Sequence, residues 1–242
     1  MRCPRIYSPV PLASGSVVEL SESAARHCVA ALRMAPGAAL TLFDGRGGEY
    51  AATLVETGKK RATAQVAEHS PIDKESALTI NLAIAVSKGD RMEWVVQKAT
   101  ELGATTISPL TSERSEVKLN RERAEKKQAQ WQQIAIAACE QSQRNLLPTV
   151  LPIAPLHELL ARDTSSCKLV LHHRSNQTLQ GYPAPQSVCL LIGPEGGLSD
   201  AEILAAQAAG FNPLTLGPRV LRTETAPLAA IAAMQTLWGD FN

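Results

Sequence analysis

Aromatic residues are scarce. Three Trp, three Tyr and three Phe make up 4% of the 242 residues. Any core must therefore be built from Ala, Leu, Ile and Val. A hydrophobic fraction of 45% supplies them and excludes a disordered chain. No apolar run approaches the roughly 18 residues of a membrane span. The opening MRCPRIYSPV has no apolar signal region, so the expectation is a soluble, cytoplasmic chain. An excess of either charge is also missing. Lys and Arg number 24, Asp and Glu 23, for a net charge of +1, and the balance holds on both sides of residue 75. No basic arm or acidic tail points to a partner, so a nucleic-acid partner has to be argued from local residues.

The five cysteines, Cys3, Cys28, Cys139, Cys167 and Cys189, form no C-x-x-C pair. That speaks against a zinc knuckle or a disulfide framework and for idle thiols in a reducing compartment. The phosphate-binding P-loop, the G-x-G-x-x-G dinucleotide fingerprint and the G-x-S-x-G elbow are all absent. His172-His173 is the only histidine pair. Neighbours on a strand point to opposite faces, so the two do not readily share a metal ion, and no metal is expected.

What is present divides in two. Residues 1–70 read as several short strands and one helix, which suggests a small β-barrel. Val17–Leu20 and Ala39–Phe43 are short apolar runs, and Tyr50–Val55 and Ala62–Ala67 alternate with period two. The helix should run from Ser21 as N-cap to Met34, stopped by Pro36-Gly37. Residues 71–77 are polar, include Pro71 and read as a linker. From residue 78 to 242 strands and helices alternate. Strands are expected at Leu78–Val86, Thr105–Pro109, Lys168–Leu171, Val188–Ile192 and Leu214–Leu216. Helices are expected at Asp90–Leu102, Asn120–Ser142, from Ser199 to Gly210, and at Thr223–Trp238. This is the rhythm of a parallel α/β sheet covered on both faces.

Two strand-to-helix connections carry the chemistry. The first, Gly193-Pro194-Glu195-Gly196-Gly197-Leu198, follows a buried strand and leads into a capping box at Ser199. Its glycines leave backbone bare for a ligand, and ligands of open α/β sheets bind beyond the carboxyl ends of strands. The second, Leu216-Gly217-Pro218-Arg219-Val220-Leu221-Arg222-Thr223-Glu224-Thr225-Ala226, crowds two arginines at the positive end of a helix. A plain capped helix explains Thr223 and Glu224 but not the arginines.

In this order the two motifs resemble the SPOUT superfamily of S-adenosylmethionine-dependent RNA methyltransferases, and within it the small-subunit ribosomal RNA methyltransferase E (RsmE) family. Arg5-Ile6-Tyr7, Val29–Met34, Gln97–Gly103, Ser112-Glu113-Arg114, Trp131–Ala135 and Glu140–Arg144 resemble it too, so the likeness spans nearly the whole chain. The resemblance implies an N-terminal PUA-like RNA-binding barrel and a C-terminal SPOUT domain with a deep trefoil knot, which general chain-topology rules would exclude. It also implies a homodimer acting on 16S rRNA, within the 30S subunit, and methylation of N3 of uridine 1498.

By the same resemblance, S-adenosylmethionine is held by Leu171, His172, Ile192, Gly193, Pro194, Glu195, Gly196, Leu216, Gly217, Arg219, Leu221, Thr223, Thr225 and Ala226. Uridine N3 is protonated at neutral pH, so transfer needs that proton removed or the developing anion stabilised. Arg222 is the candidate for the anion and Glu195 and Glu224 are the candidate carboxylates. Either carboxylate could instead be structural, paired with Arg219 or Arg222. RNA contacts are expected from Arg2, Arg5, Arg33, Lys88, Lys98, Arg114 and Arg144. His173 departs from the family pattern and puts one cofactor contact in question. The alternatives are a SPOUT 2′-O-ribose methyltransferase, whose N-x-G-x-x-x-R element no asparagine here begins, a non-catalytic RNA-binding or assembly factor, and a phosphate-binding hydrolase.

Overall fold

A computed structural model describes residues 3–58, 60–172 and 175–241. Arg2 and His173, both singled out from the sequence, lie outside them. The chain forms two compact units, residues 1–75 with 139–147, and residues 76–138 with 148–242.

The first unit holds β1 (Arg5–Tyr7), β2 (Val17–Glu19), α1 (Glu22–Arg26), β3 (Ala39–Phe43), β4 (Glu49–Thr57) and β5 (Ala62–Ser70). They form one mixed sheet in the order β1-β3-β4-β5-β2. Only β1 and β3 pair in parallel. The three-residue strands β1 and β2 end the ladder without pairing to each other, so the expected barrel is an open mixed sheet. Leu40, Leu42, Leu54, Ala64 and Val66 alternate along their strands onto one face and bury against Ala24, Ala25 and Cys28. The helix is shorter than expected. Ser21 caps it by accepting from Ala24 N, but after Arg26 it widens into a π-helical turn, His27–Ala31. Arg33 then ends it in a left-handed conformation at φ 55°, with Met34 N closing on Cys28 O.

Residues 139–147 belong to this unit, although their place in the sequence put them with the α/β part. Polar side chains fix them there. The Glu140 carboxylate accepts from Tyr7 N at 3.0 Å, and Asn145 donates to Ile72 O at 2.9 Å.

The second unit contains β6 (Thr79–Ala85), α2 (Arg91–Glu101), β7 (Thr106–Thr111), most of α3 (Arg121–Ser142), β8 (Thr149–Val150), β9 (Ala154–Pro155), α4 (Leu156–Arg162), β10 (Cys167–Leu171), β11 (Ser187–Ile192), α5 (Asp200–Ala208), β12 (Asn212–Leu214) and α6 (Ala226–Trp238). The sheet is wholly parallel, in the order β12-β10-β11-β6-β7-β8, with β9 also on β7. Period two sorts its residues. Ile80, Leu82, Ile84, Leu190 and Ile192 meet Val95, Val96, Trp131, Ile231 and Met234 on one face. Ala83, Ala85, Val170 and Leu191 meet Leu156, Leu159, Ala206 and Phe211 on the other. Burial on both faces is what the near-continuous apolar runs demanded. Among the described residues no helix is long and apolar enough to cross a membrane.

Two boundaries differ from expectation where the site lies. The last strand is Asn212–Leu214, not Leu214–Leu216. It contains Pro213, which an edge strand tolerates. The last helix starts at Ala226, three residues late, because Pro227 fits only its first turn.

Candidate functional site

Strand order decides where the two motifs meet. From β6 the chain moves outward through β7, β8 and β9, then returns to lay β10, β11 and β12 on the opposite side. The carboxyl ends of β12, β10 and β11 thus stand side by side. The segments after them, from His172, Gly193 and Thr215, surround one cavity of about 830 Å³. That size suits a small organic ligand.

The cavity wall contains every residue that the resemblance assigned to the cofactor except Thr225, and it contains Arg222, Glu195 and Glu224. Leu171, Ile192, Leu214 and Leu216 supply an apolar part of the wall, while Gly193, Gly196, Gly197 and Gly217 expose backbone. At Gly193 a Cβ would come within 2.9 Å of Leu198 N, so no side chain fits the turn that Gly197 N closes on Pro194 O. Gly217 sits at φ 83°, a left-handed position open to glycine. A wall of leucine and isoleucine side chains, bare peptide groups and charged side chains fits a ligand with both an apolar ring and a charged moiety.

The loops are held from outside. At α5 the capping box is complete, since Ser199 Oγ accepts from Glu202 N at 3.2 Å and Glu202 Oε2 accepts from Ser199 N at 2.8 Å. Glu202 Oε1 also accepts from Glu113 N at 2.7 Å. The neighbouring Arg114 donates to Gly196 O at 3.1 Å and Leu198 O at 3.4 Å. Arg114, expected on RNA, therefore braces the glycine loop. In the second loop, Thr225 N and Ala226 N both donate to Arg222 O at 2.9 Å and start α6.

The two carboxylates do not pair with Arg219 or Arg222. Both face Arg91, whose Nη1 donates to Glu195 Oε1 at 2.7 Å and whose Nε lies 3.9 Å from Glu224 Oε2. Arg219 and Arg222 are exposed, and no side-chain hydrogen bond holds either among the described residues. Sequence reasoning missed Arg91. The signal was there, because an arginine opening α2 is the same charge-on-dipole mismatch that drew attention to Arg219 and Arg222.

The other RNA candidates separate by burial. Arg144 is 4% exposed and grips Glu75 in a two-pronged ion pair, Nε to Oε1 at 3.0 Å and Nη2 to Oε2 at 2.5 Å. Arg5 is paired with Glu49 and donates to Asn145 Oδ1 at 2.5 Å. Both guanidiniums are engaged by acidic partners within the chain. Lys88 pairs with Glu116, and Lys98 with Glu101 while lying 5.1 Å over the Trp94 ring. Arg33 is exposed. Among the cysteines, burial pushes the Cys139 thiol up to about 12 and raises Cys28, Cys167 and Cys189 as well, so these thiols stay protonated and unreactive at neutral pH.

Comparisons with known proteins agree with this geometry. A family profile described as an RNA methyltransferase domain matches residues 74–235, and one described as an RNA methyltransferase PUA domain matches residues 20–67. Ribosomal RNA small subunit methyltransferase E of Bacillus subtilis is 35% identical over 218 residues, 86% of this chain and 85% of the relative. That of Buchnera aphidicola from Acyrthosiphon pisum is 32% identical over 243 residues, 100% of this chain and 96% of the relative. The crystal structure of ribosomal RNA small subunit methyltransferase E from Neisseria gonorrhoeae, bound to S-adenosyl methionine, is 46% identical with a TM-score of 0.95 over 100% of both chains. A protein from Legionella pneumophila, solved in complex with the bound cofactor SAM, is 43% identical with a TM-score of 0.97, again over 100% of both chains.

Proposed function

Because the chain belongs to the ribosomal RNA small subunit methyltransferase E family, we propose that it methylates N3 of one uridine in 16S rRNA, uridine 1498 by family resemblance, with S-adenosylmethionine as donor. The observation that carries this reading is the single cavity into which the Gly193–Leu198 and Leu216–Ala226 segments converge. When bound, S-adenosylmethionine supplies a methyl group on a positively charged sulfur.

The chain's own residues supply the rest. Leu171, Ile192, Leu216 and Leu221 would pack the adenine, and the peptide groups of Gly193 to Gly196 and of Leu216 and Gly217 would hydrogen-bond the polar edges of the cofactor. Their work is to align the reacting atoms, the part of catalysis that fixed geometry serves best. Arg222 meets the negative charge that spreads over uracil O2 and O4 as the N3 proton leaves. Of the two carboxylates we assign the proton to Glu224. Its side chain is 24% exposed against 40% for Glu195, and its contact to Arg91 is the looser one. Arg33, which is exposed, contacts RNA phosphates.

The same reading includes a homodimer and a C-terminal knot. The segment after β12 bonds back to the β10–β11 connection, with Thr215 N donating to Gln177 O at 2.8 Å. In that connection Leu179 and Tyr182 pack in the cluster that holds α6 residues Ile231 and Met234. Both facts support passage of the α6 segment beneath residues 175–186.

The test is to incubate 30S particles lacking the modification with the protein and methyl-labelled S-adenosylmethionine, then digest the rRNA and weigh the nucleosides. Labelled 3-methyluridine is expected from the wild type. From Arg222→Ala the rate should fall by about a hundredfold or more, with cofactor affinity retained. A labelled 2′-O-methyl nucleoside, or cofactor binding without label in any 30S preparation, overturns the proposal.

A further inference from the structure

We propose that Arg91 is a positioning residue that couples the two cavity loops by holding Glu195 and Glu224 at once. The inference rests on the reading of this cavity as the S-adenosylmethionine site. Arg91 opens α2, and the rest of that helix fixes its backbone, since Met92, Val95 and Val96 are buried in the sheet's core. Its guanidinium sends Nη1 to Glu195 in the loop after β11 and Nε toward Glu224 in the turn before α6. Twenty-eight residues of sequence, including α5 and β12, separate the two carboxylates, so a contact to one rigid helix is what brings the loops into register.

Arginine suits the task where lysine does not. Its planar fork presents two donors in a fixed relation, whereas an ammonium is a single point of charge. Its position also carries a penalty, because a cation at the N-terminus of a helix opposes the helix dipole. Two carboxylates offset that penalty. The loops depend on Arg91 unequally. The first keeps Arg114 as a second brace. For Glu224, the remaining side-chain contact among the described residues is Thr223 Oγ1 at 3.4 Å. Loss of Arg91 therefore loosens the Arg222–Thr225 turn more than the glycine loop.

The experiment compares Arg91→Ala, Arg91→Lys, the double variant Glu195→Gln/Glu224→Gln, and that double variant with Arg91→Ala added. S-adenosylmethionine affinity is read by calorimetry, methyl transfer by single turnover on unmodified 30S at saturating cofactor, and folding by melting without ligand. Arg91→Ala should weaken cofactor binding about three- to tenfold and slow the single turnover at saturation, with the melting temperature unchanged. Arg91→Lys should recover part of the loss. The double-Gln background lacks the assigned proton acceptor, so coupling is read there on cofactor affinity alone, and Arg91→Ala should add less than about 1.7-fold, the limit of simple additivity. If Arg91→Ala melts early, the same coupling is read by comparing Glu224→Gln in the wild-type and Arg91→Lys backgrounds. Wild-type binding and turnover in Arg91→Ala would overturn the inference. So would a full Arg91→Ala effect in the double-Gln background, since the residue would then act other than through the carboxylates. Failure of the wild type itself to bind S-adenosylmethionine would instead defeat the cofactor reading beneath it.

Discussion

Arg144 and Arg222 carry the same charge to opposite ends. Arg144, 4% exposed, forms a buried pair with Glu75, and Arg222 stands in the open wall of a cavity. Residue type alone could not separate them, because what differs is the partner that tertiary structure supplies. Glu140 makes the same point for acids. Burial raises its carboxyl above the ordinary 4.5, although Tyr7 N–H, His27 and Arg5 pull the other way. A raised acid binds its proton more tightly in the folded chain than in the unfolded one. Its stabilising contribution is therefore full below pH 4.5 and is lost as pH rises through the shifted value. Glu140→Gln keeps an oxygen for Tyr7 N–H without the charge. Its urea midpoint should exceed wild type at pH 7, and the advantage should shrink as pH falls toward 4.5. A constant difference across that range would refute the assignment.

At the scale of elements, local signals were reliable where a whole motif lay within one stretch of chain. Ser199 and Glu202 form the capping box that their spacing promised. The β11 strand is buried along Val188 to Ile192 as its unbroken apolar run required. Ser199→Ala should cost about 1 kcal/mol by chemical denaturation, the usual worth of such a cap. It should also weaken S-adenosylmethionine binding measurably, because the same residue ends the glycine loop. An unchanged cofactor affinity would show that Arg114 and Arg91 set the loop without the cap. Signals failed where elements were short or packing chose the outcome. The two-residue strands β8 and β9 and the seven-residue α4 are too brief for a period to show. The π-helical turn at His27–Ala31 left no mark in composition.

For the whole molecule, a net charge of +1 means that attraction to RNA has to come from an uneven spread of charge. Of the cations first assigned to that task, Arg5 and Arg144 are engaged in ion pairs with Glu49 and Glu75. The proposed homodimer predicts a mass of twice 25.8 kDa by light scattering at micromolar concentration. A single species of 25.8 kDa that still methylates 30S would remove the dimer from the mechanism.

The sequence by itself determined the class of each half, the strands and helices with strong periodicity, and two of the three segments that surround the cavity. Those features depend on neighbours in the chain, on period, caps and turn residues. Only the tertiary structure decided that β11 lies between β10 and β6, that the N-terminal sheet is open, and that Arg91 meets both glutamates. Each depends on residues far apart in sequence, and the physics that joins them is burial and pairing in three dimensions, which no local pattern encodes.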